Sequence, residues 1–330
     1  MKTFDRSLRA ACSAIAVAVV VVAAADAKEA PISAAGDKGG VPVVVQGTVH
    51  QALFGVAFDG DHGVAVGAMG ELLDSTDGGR KWTALDKAPT PLSLLGVGVR
   101  GDKRIAVGQE GLILLSDAGG PWTRVDSGTD QRMLSVAMNA QGLAVAVGAF
   151  GTVTVSSDGG KTWVKSAIDW TRFMTEPVEP HLYDVIVGDT GVVTVVGEYG
   201  LILRSPDAGK NWVAVNHGEA SLFDIELRAD GGGYAVGQDG YVLATSDGGN
   251  VWKPLTTHSK SLLLGVWSSA DGHVLIAGMR EMLESRDGGQ SWKARTDGDF
   301  ATAWYSGVAS PASGGLVLVG HSGRIVRIEG

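Results

Sequence analysis

The sequence contains one cysteine, Cys12, and it lies within the first 27 residues. Those residues read as an export signal. They have a basic start at Lys2, Arg6 and Arg9, a small apolar run from Ala10 to Ala25, and an Ala25-Asp26-Ala27 cleavage site. Cys12 comes too early, directly after Arg9-Ala10-Ala11, for a lipoprotein cysteine. The mature chain is therefore expected to carry no thiol, which excludes disulfides and thiol catalysis. The uninterrupted apolar stretch, Ile15 to Ala25, falls short of the ~20 residues a spanning helix needs. A soluble exported protein, periplasmic or secreted, is expected, with no membrane insertion after cleavage.

Basic charge is scarce as well: 27 Lys and Arg stand against 36 Asp and Glu. Removing residues 1–27 takes away Lys2, Arg6, Arg9, Asp5 and Asp26 and leaves a net charge of −10. A nucleic-acid binder needs a basic footprint, so that class is excluded. Docking on anionic lipid by charge alone is disfavoured for the same reason. No 11-residue window shows a clear helical period. Residues 28–41, rich in Ala and Gly, read as a flexible lead-in.

What the chain does have is repetition. "STDGGRKW" at Ser75–Trp82 recurs as Leu115–Trp122, Ser156–Trp163, Ser205–Trp212, Thr245–Trp252 and Ser285–Trp292. The acids are Asp77, Asp117, Asp158, Asp207, Asp247 and Asp287. The tryptophans are Trp82, Trp122, Trp163, Trp212, Trp252 and Trp292. They are spaced by 40, 41, 49, 40 and 40 residues, a period that signals a propeller or solenoid. A second landmark, V-G-x-x-G, begins at Val66, Val107, Val147, Val196, Val236 and Val319, with Ala277-Gly278 in its place once. A third is a short apolar run such as "LFGVAF" or "LLGVGV" upstream of each.

These landmarks divide each unit into four short strands, a to d, joined by Gly-containing turns. Four antiparallel strands repeated every ~40 residues make propeller blades. The second and third landmarks occur seven times and the first six times. The last unit therefore lacks strand d, and the isolated run "VPVVVQ" (Val41–Gln46) can supply it. The expected fold is an all-β, seven-bladed β-propeller over 42–330, closed by an N-terminal strand. Closure removes exposed edges.

The S-x-D-x-G-x-x-W stretch resembles the Asp-box, or bacterial neuraminidase repeat, of sialidases and sortilin-type receptors, where it is a structural turn away from the functional face. Six copies cannot all be one active site, and each is read as scaffold. Together with V-G-x-x-G and the export signal, residues 42–328 resemble the photosystem II assembly/stability factor family of seven-bladed propellers. That resemblance implies an assembly factor for membrane protein complexes with no catalytic residues. Its photosynthetic members present arginines to their client, whereas this chain is acidic. Leu115 and Thr245 replace the first Ser of the box, with Ser116 and Ser246 one place later as substitutes. Glu281 is read as replacing the turn Gly in the sixth unit.

Other motifs do not stand up. "GVGVRG" (Gly96–Gly101) lies within a strand and lacks the helix a dinucleotide site requires. Arg100-Gly101-Asp102 is a turn. "GHSGR" (Gly320–Arg324) has Arg324 at the last Gly of a nucleophile elbow. The histidines show no metal spacing, and no metal or other cofactor is expected. A sialidase-like or other carbohydrate-acting propeller is the alternative, with Arg132, Arg172, Arg280, Tyr183, Tyr199 and Glu198 as candidates. It lacks that family's early Arg-Ile-Pro motif.

Strand order puts the a–b and c–d turns on one face and the b–c turns and d–a links on the other. The second face is irregular in sequence, which is where function is grafted onto a rigid scaffold. One insertion, Ala167–His181, falls there. Phe150, Trp170, Arg172, Phe173, Tyr199, Glu198 and Arg280 are the candidate contacts, because aromatics and Arg dominate protein hot spots. Packing of Trp170 and Phe173 onto their own blade is the competing role, and Trp304 and Tyr305 read as core. A monomer holding a protein client or membrane complex is expected, and no enzyme.

Overall fold

The computed structural model describes residues 40–329, so the expected export signal and residues 28–39 of the expected lead-in lie outside the described residues. The strands assemble into seven four-stranded antiparallel sheets. Blades 1 to 6 span 53–84, 94–125, 133–165, 182–216, 222–255 and 263–294. Blade 7 takes Tyr305–Ala309, Leu316–Gly320 and Ile325–Ile328 from the C-terminal end and Val43–Val45 (β1) from the N-terminal end. Val43 pairs with Val326 and Val45 with Ile325. Val41 is already buried against blade 7, so the lead-in ends one residue earlier than its composition suggested. Among the described residues, no helix is long and apolar enough to cross a membrane.

The inner strand a of each blade touches the next around the ring, and the last touches the first. Between them the core divides into clusters, each shared by two adjacent blades. The box tryptophan is the wedge. Trp163 of blade 3 packs with Ile105 and Leu115 of blade 2. Trp82 packs with Val317 and Val319 of blade 7. Trp212 and Trp252 do the same one and two blades on. Packing an indole at six of the seven junctions explains the period physically, since aromatic side chains contribute large apolar area.

The rest of the box holds that wedge. Ser156 Oγ accepts the Gly160 amide (2.9 Å) and donates to Asp158 Oδ1 (2.7 Å). Asp158 in turn accepts the Thr162 hydroxyl (2.6 Å) and amide (2.9 Å). The Trp163 indole N–H donates to the Gly160 carbonyl (2.9 Å). Hydrogen bonds from the Ser291 hydroxyl and amide and from Ser285 hold the Asp287 carboxyl down at about 2. The departures resolve individually. Thr245 Oγ1 takes the serine's place, accepting the Gly249 amide (3.1 Å), so Ser246 is not needed. Blade 2 has a box one residue shorter. Ser116 stands opposite Arg104, as Ser75 stands opposite Gly63, yet its hydroxyl donates to the Gly120 carbonyl (2.7 Å).

V-G-x-x-G also has one cause. The amide after its first Gly donates to a carbonyl of the d–a link in every blade: Ala52, Ser93, Arg132, His181, Ser221, Leu262 and Trp304. The link therefore crosses directly over that Gly. A Cβ at Gly237 would lie 1.9 Å from the Ser221 oxygen.

Candidate interaction face

Seven b–c turns surround one end of the ring. In six of them the carbonyl before the tip accepts an amide three residues on, as Ala68 accepts that of Glu71 (3.1 Å). The tip residue and the Gly after it both have positive φ, the geometry that matches the twist of a hairpin. That geometry favours Asn, Asp or Gly first. Here the tips are Met69, Glu110, Phe150, Tyr199, Asp239, Arg280 and Ser322, with φ between 51° and 60°. Each non-Gly residue in this region costs roughly 1–2 kcal/mol. Strain of this kind clusters at functional sites. Blade 6 corrects the sequence reading: Gly278 N–H bonds Glu281, as Gly67 N–H bonds Glu71, so the turn Gly is deleted and Glu281 is not its replacement.

A second ring was not legible from the sequence. Every inner strand skips register between its first and third residues, a β-bulge at the same place in all seven blades. The skipped residues are Phe54, Leu95, Leu134, Tyr183, Phe223, Leu264 and Ser306. A bulge re-aims a side chain. Six of the seven are apolar or aromatic, and they stand half-buried just inside the b–c end. The only sequence signal is a large residue in phase with L-x-[GSD]-V.

Together the two rings make an aromatic run across three blades. The exposed Phe150 packs edge-on against His181 (4.9 Å), His181 against Tyr183 (6.5 Å), and Tyr183 against Phe223 (5.0 Å). The Phe150 amide donates to His181 Nδ1 (3.0 Å), and the His181 amide to Glu198 (2.8 Å). Burial, with the Glu198 charge added, pushes the Tyr183 hydroxyl up to about 12. Phe54 stacks on Trp304 (6.2 Å) across the blade 7–1 junction.

The structure divides the sequence candidates. Phe150, Tyr199 and Arg280 are exposed at tips. Glu198 is half-buried beside His181. Trp170 is 8% exposed and belongs to the blade 3–4 core, with Phe173 packed against the same cluster. Asp169 caps the short turn Trp170–Arg172, and Trp170 lies over Gly151, where a Cβ would fall 2.3 Å from its Nε1. Arg172 is exposed, with its guanidinium 5.6 Å from the Phe173 ring. The link residue that engages Phe150 directly is His181, at the insertion's end. Among the described residues, Arg132, Arg172 and Arg280 share no ion-pair partner. Tyr305 is core, and Trp304 is half-buried at the face.

At blade 7, Asp299 accepts the Tyr305 hydroxyl (2.7 Å), meets His321 Nε2 (2.7 Å) and pairs with Arg324. Burial opposes ionisation of Asp299, but the Tyr305 hydroxyl and the Arg324 charge hold its carboxyl below the usual range. Arg324 Nε also donates to Gln46 (2.8 Å), which ties the end of the closing strand to the blade it completes. Among the described residues, no group of three or more His, Cys, Asp or Glu is placed to hold a metal ion.

Several carboxyls are half-buried. Asp224 donates to Asp184 as a proton-sharing pair between blades 4 and 5, and burial raises both. Burial lifts Glu71 and Glu226 to about 7 against opposing hydrogen bonds from Gln51 and Ser268. A carboxyl raised on folding stabilises the fold while it is protonated. That contribution is lost as pH rises from about 4.5 to about 7. The depressed Asp287 works oppositely, and its contribution is lost as pH falls from 3.8 toward about 2. Thermal stability is therefore expected to peak near pH 4–5. Calorimetry from pH 3 to 8 checks this, and Glu226→Gln should flatten the limb above the peak.

A family description, Photosynthesis system II assembly factor YCF48, matches residues 43–130 and 120–220. The chain belongs to this family. Two similar solved structures carry the same name. "YCF48 from Cyanidioschyzon merolae" is 20% identical, covers 87% of this chain and 98% of its own, and has a TM-score of 0.71. "YCF48 bound to D1 peptide" is 18% identical, covers 87% and 94%, and has a TM-score of 0.68. A GH74 xyloglucanase from Xanthomonas campestris shares the fold at 17% identity and a TM-score of 0.69, over 86% of this chain and 52% of its own. No curated protein matches the sequence.

Proposed function

We propose that this YCF48-family propeller is a non-enzymatic, exported scaffold that holds an extended segment of a client protein across the b–c/d–a face. The observation that carries this reading is the run Phe150–His181–Tyr183–Phe223, with Phe150 and Tyr199 presented on strained tips beside it. Exposed aromatics on a rigid frame are what a peptide's apolar side chains require, and ordering them costs little entropy. The D1 peptide bound to a YCF48 structure supports a peptide as the ligand class. On the tips and links of this face, Glu110, Asp126, Asp130, Glu176, Glu179, Glu198, Glu219 and Asp239 outnumber Lys87, Arg132, Arg172, Lys260, Arg280 and Arg324. They favour a segment carrying Lys or Arg among its apolar residues.

In-host cross-linking followed by affinity capture tests the reading. Phe150→Ala with Tyr199→Ala should reduce client recovery at least tenfold while the melting temperature moves by no more than a few degrees. Undiminished recovery would place the contact elsewhere. A glycan array with the same pair separates the sugar-binding alternative, since glycan binding lost with these aromatics would replace a protein client. Fractionation of the tagged chain tests export.

A further inference from the structure

The inner strands do not approach one another in the same way all round the ring. In blades 1, 2, 6 and 7 the residue that follows the bulge is a glycine: Gly55, Gly96, Gly265 and Gly307. A Cβ at Gly96 would lie 2.7 Å from the Leu134 oxygen of the next inner strand, and one at Gly265 2.9 Å from that of Ser306. Blades 3, 4 and 5 carry Ser135, Asp184 and Asp224 at this position. There the gap between strands is spanned by side chains.

The Ser135 hydroxyl donates to Asp184 Oδ1 (2.6 Å). Asp184 Oδ2 accepts the Ile225 amide of blade 5 (3.1 Å), and Asp224 Oδ2 accepts the Val266 amide of blade 6 (2.7 Å). The two carboxyls also bond each other, which requires a proton between them. One polar chain thus ties blades 3 to 6, the arc that carries the aromatic run. Tyr183 and Phe223 come one residue before the two carboxyls, and their rings meet at 5.0 Å. No other charge can replace the proton. Among the described residues, neither Asp184 nor Asp224 has a Lys, Arg or His in ion-pair contact. Glu226, two residues along the inner strand of blade 5, adds a like charge to Asp224. Arg228 acts on Glu226 and bonds Ser268 (2.5 Å), away from the pair. Ser135, Ile225 and Val266 bring only neutral groups to it.

We propose that the Asp184–Asp224 contact is a proton-dependent clasp that positions the aromatic run, so that the face holds its client at low pH and releases it as pH rises. The proposal rests on the client-binding reading and adds its regulation. Loss of the proton leaves two carboxylates in contact, and the inner strands of blades 4 and 5 must separate or admit water to keep them apart. Tyr183 then loses Phe223. By linkage, a client that presses the two rings together tightens the pair's hold on its proton.

NMR of the full chain with isotope-labelled Phe and Tyr, from pH 5 to 10, tests it. The nuclear Overhauser contact between Tyr183 and Phe223 should weaken with rising pH in the wild type. It should persist throughout in Asp224→Asn, whose amide donates to Asp184 without a titrating proton. Asp184→Asn serves the same purpose if that variant misfolds. A contact that persists at every pH in the wild type, or that fades alike in wild type and folded variant, overturns the proposal. The cross-linked capture, repeated at pH 6 and pH 9, reads the consequence. Client recovery should fall roughly fivefold or more in the wild type, the low end of ordinary coupling between sites, and stay level in Asp224→Asn. Equal wild-type recovery at both pH values, while Phe150→Ala with Tyr199→Ala still loses the client, overturns the regulation and leaves the face standing. Recovery indifferent to those two aromatics overturns the face instead, and the ring contact alone then decides the clasp.

Discussion

A chain lacking residues 41–46 is expected to lose cooperative unfolding and to self-associate through its open edge. Strand β1 latches blade 7 to the N-terminal end of the described chain by strand pairing, through Val43–Val326 and Val45–Ile325. Its removal takes three buried valines from two inter-blade clusters, Val41 and Val43 from one and Val45 from the other. Each buried Val contributes about 1.5–3 kcal/mol. Arg324 loses its Gln46 partner, and the Ile325–Ile328 edge is left to pair with another copy. The point variant Val43→Asp isolates the packing part. Val43 is 5% exposed, and a lone buried carboxylate there should cost about 3–5 kcal/mol, or roughly 10 °C. Calorimetry and light scattering check both variants. A deletion chain that melts like wild type would mean the ring closes without its latch.

Gly237→Ala is expected to cost about 2–4 kcal/mol, while Gly60→Ala should cost only about 1 kcal/mol. Gly60 has a positive φ but open space around it, so Ala there meets backbone strain alone. Gly237 needs no unusual φ. Its new Cβ would instead sit 1.9 Å from the Ser221 oxygen, the same oxygen that accepts the Gln238 amide. Relief requires the d–a link to lift and that hydrogen bond to break. Denaturant melts of the two variants measure the difference, and equal losses would show that conformation, not the link crossing, keeps glycine in V-G-x-x-G.

Much of this molecule could be read before any coordinates. The Asp-to-Trp spacing marked the c–d turn, the missing seventh box marked the broken blade, and "VPVVVQ" marked its replacement strand, because hydrogen bonding and side-chain alternation within a blade are local. Substitutions were harder to read. Glu281 looked like a replaced glycine because a one-residue deletion leaves no trace in spacing where the strands on both sides are alike. For Trp170 the sequence left contact and packing both open, and the structure buries it in the core, because sequence records an aromatic but not which way a short turn faces it.

Local pattern sufficed for a ring of seven equal sheets and for the end on which they differ. Packing between blades decides which side chains meet: the bulges that turn Tyr183 and Phe223 toward each other, and the placing of His181 under Phe150. Those contacts cross from blade to blade. Their distances depend on how whole sheets pack around an axis, a geometry set by the sum of all the wedges and by no single stretch of chain.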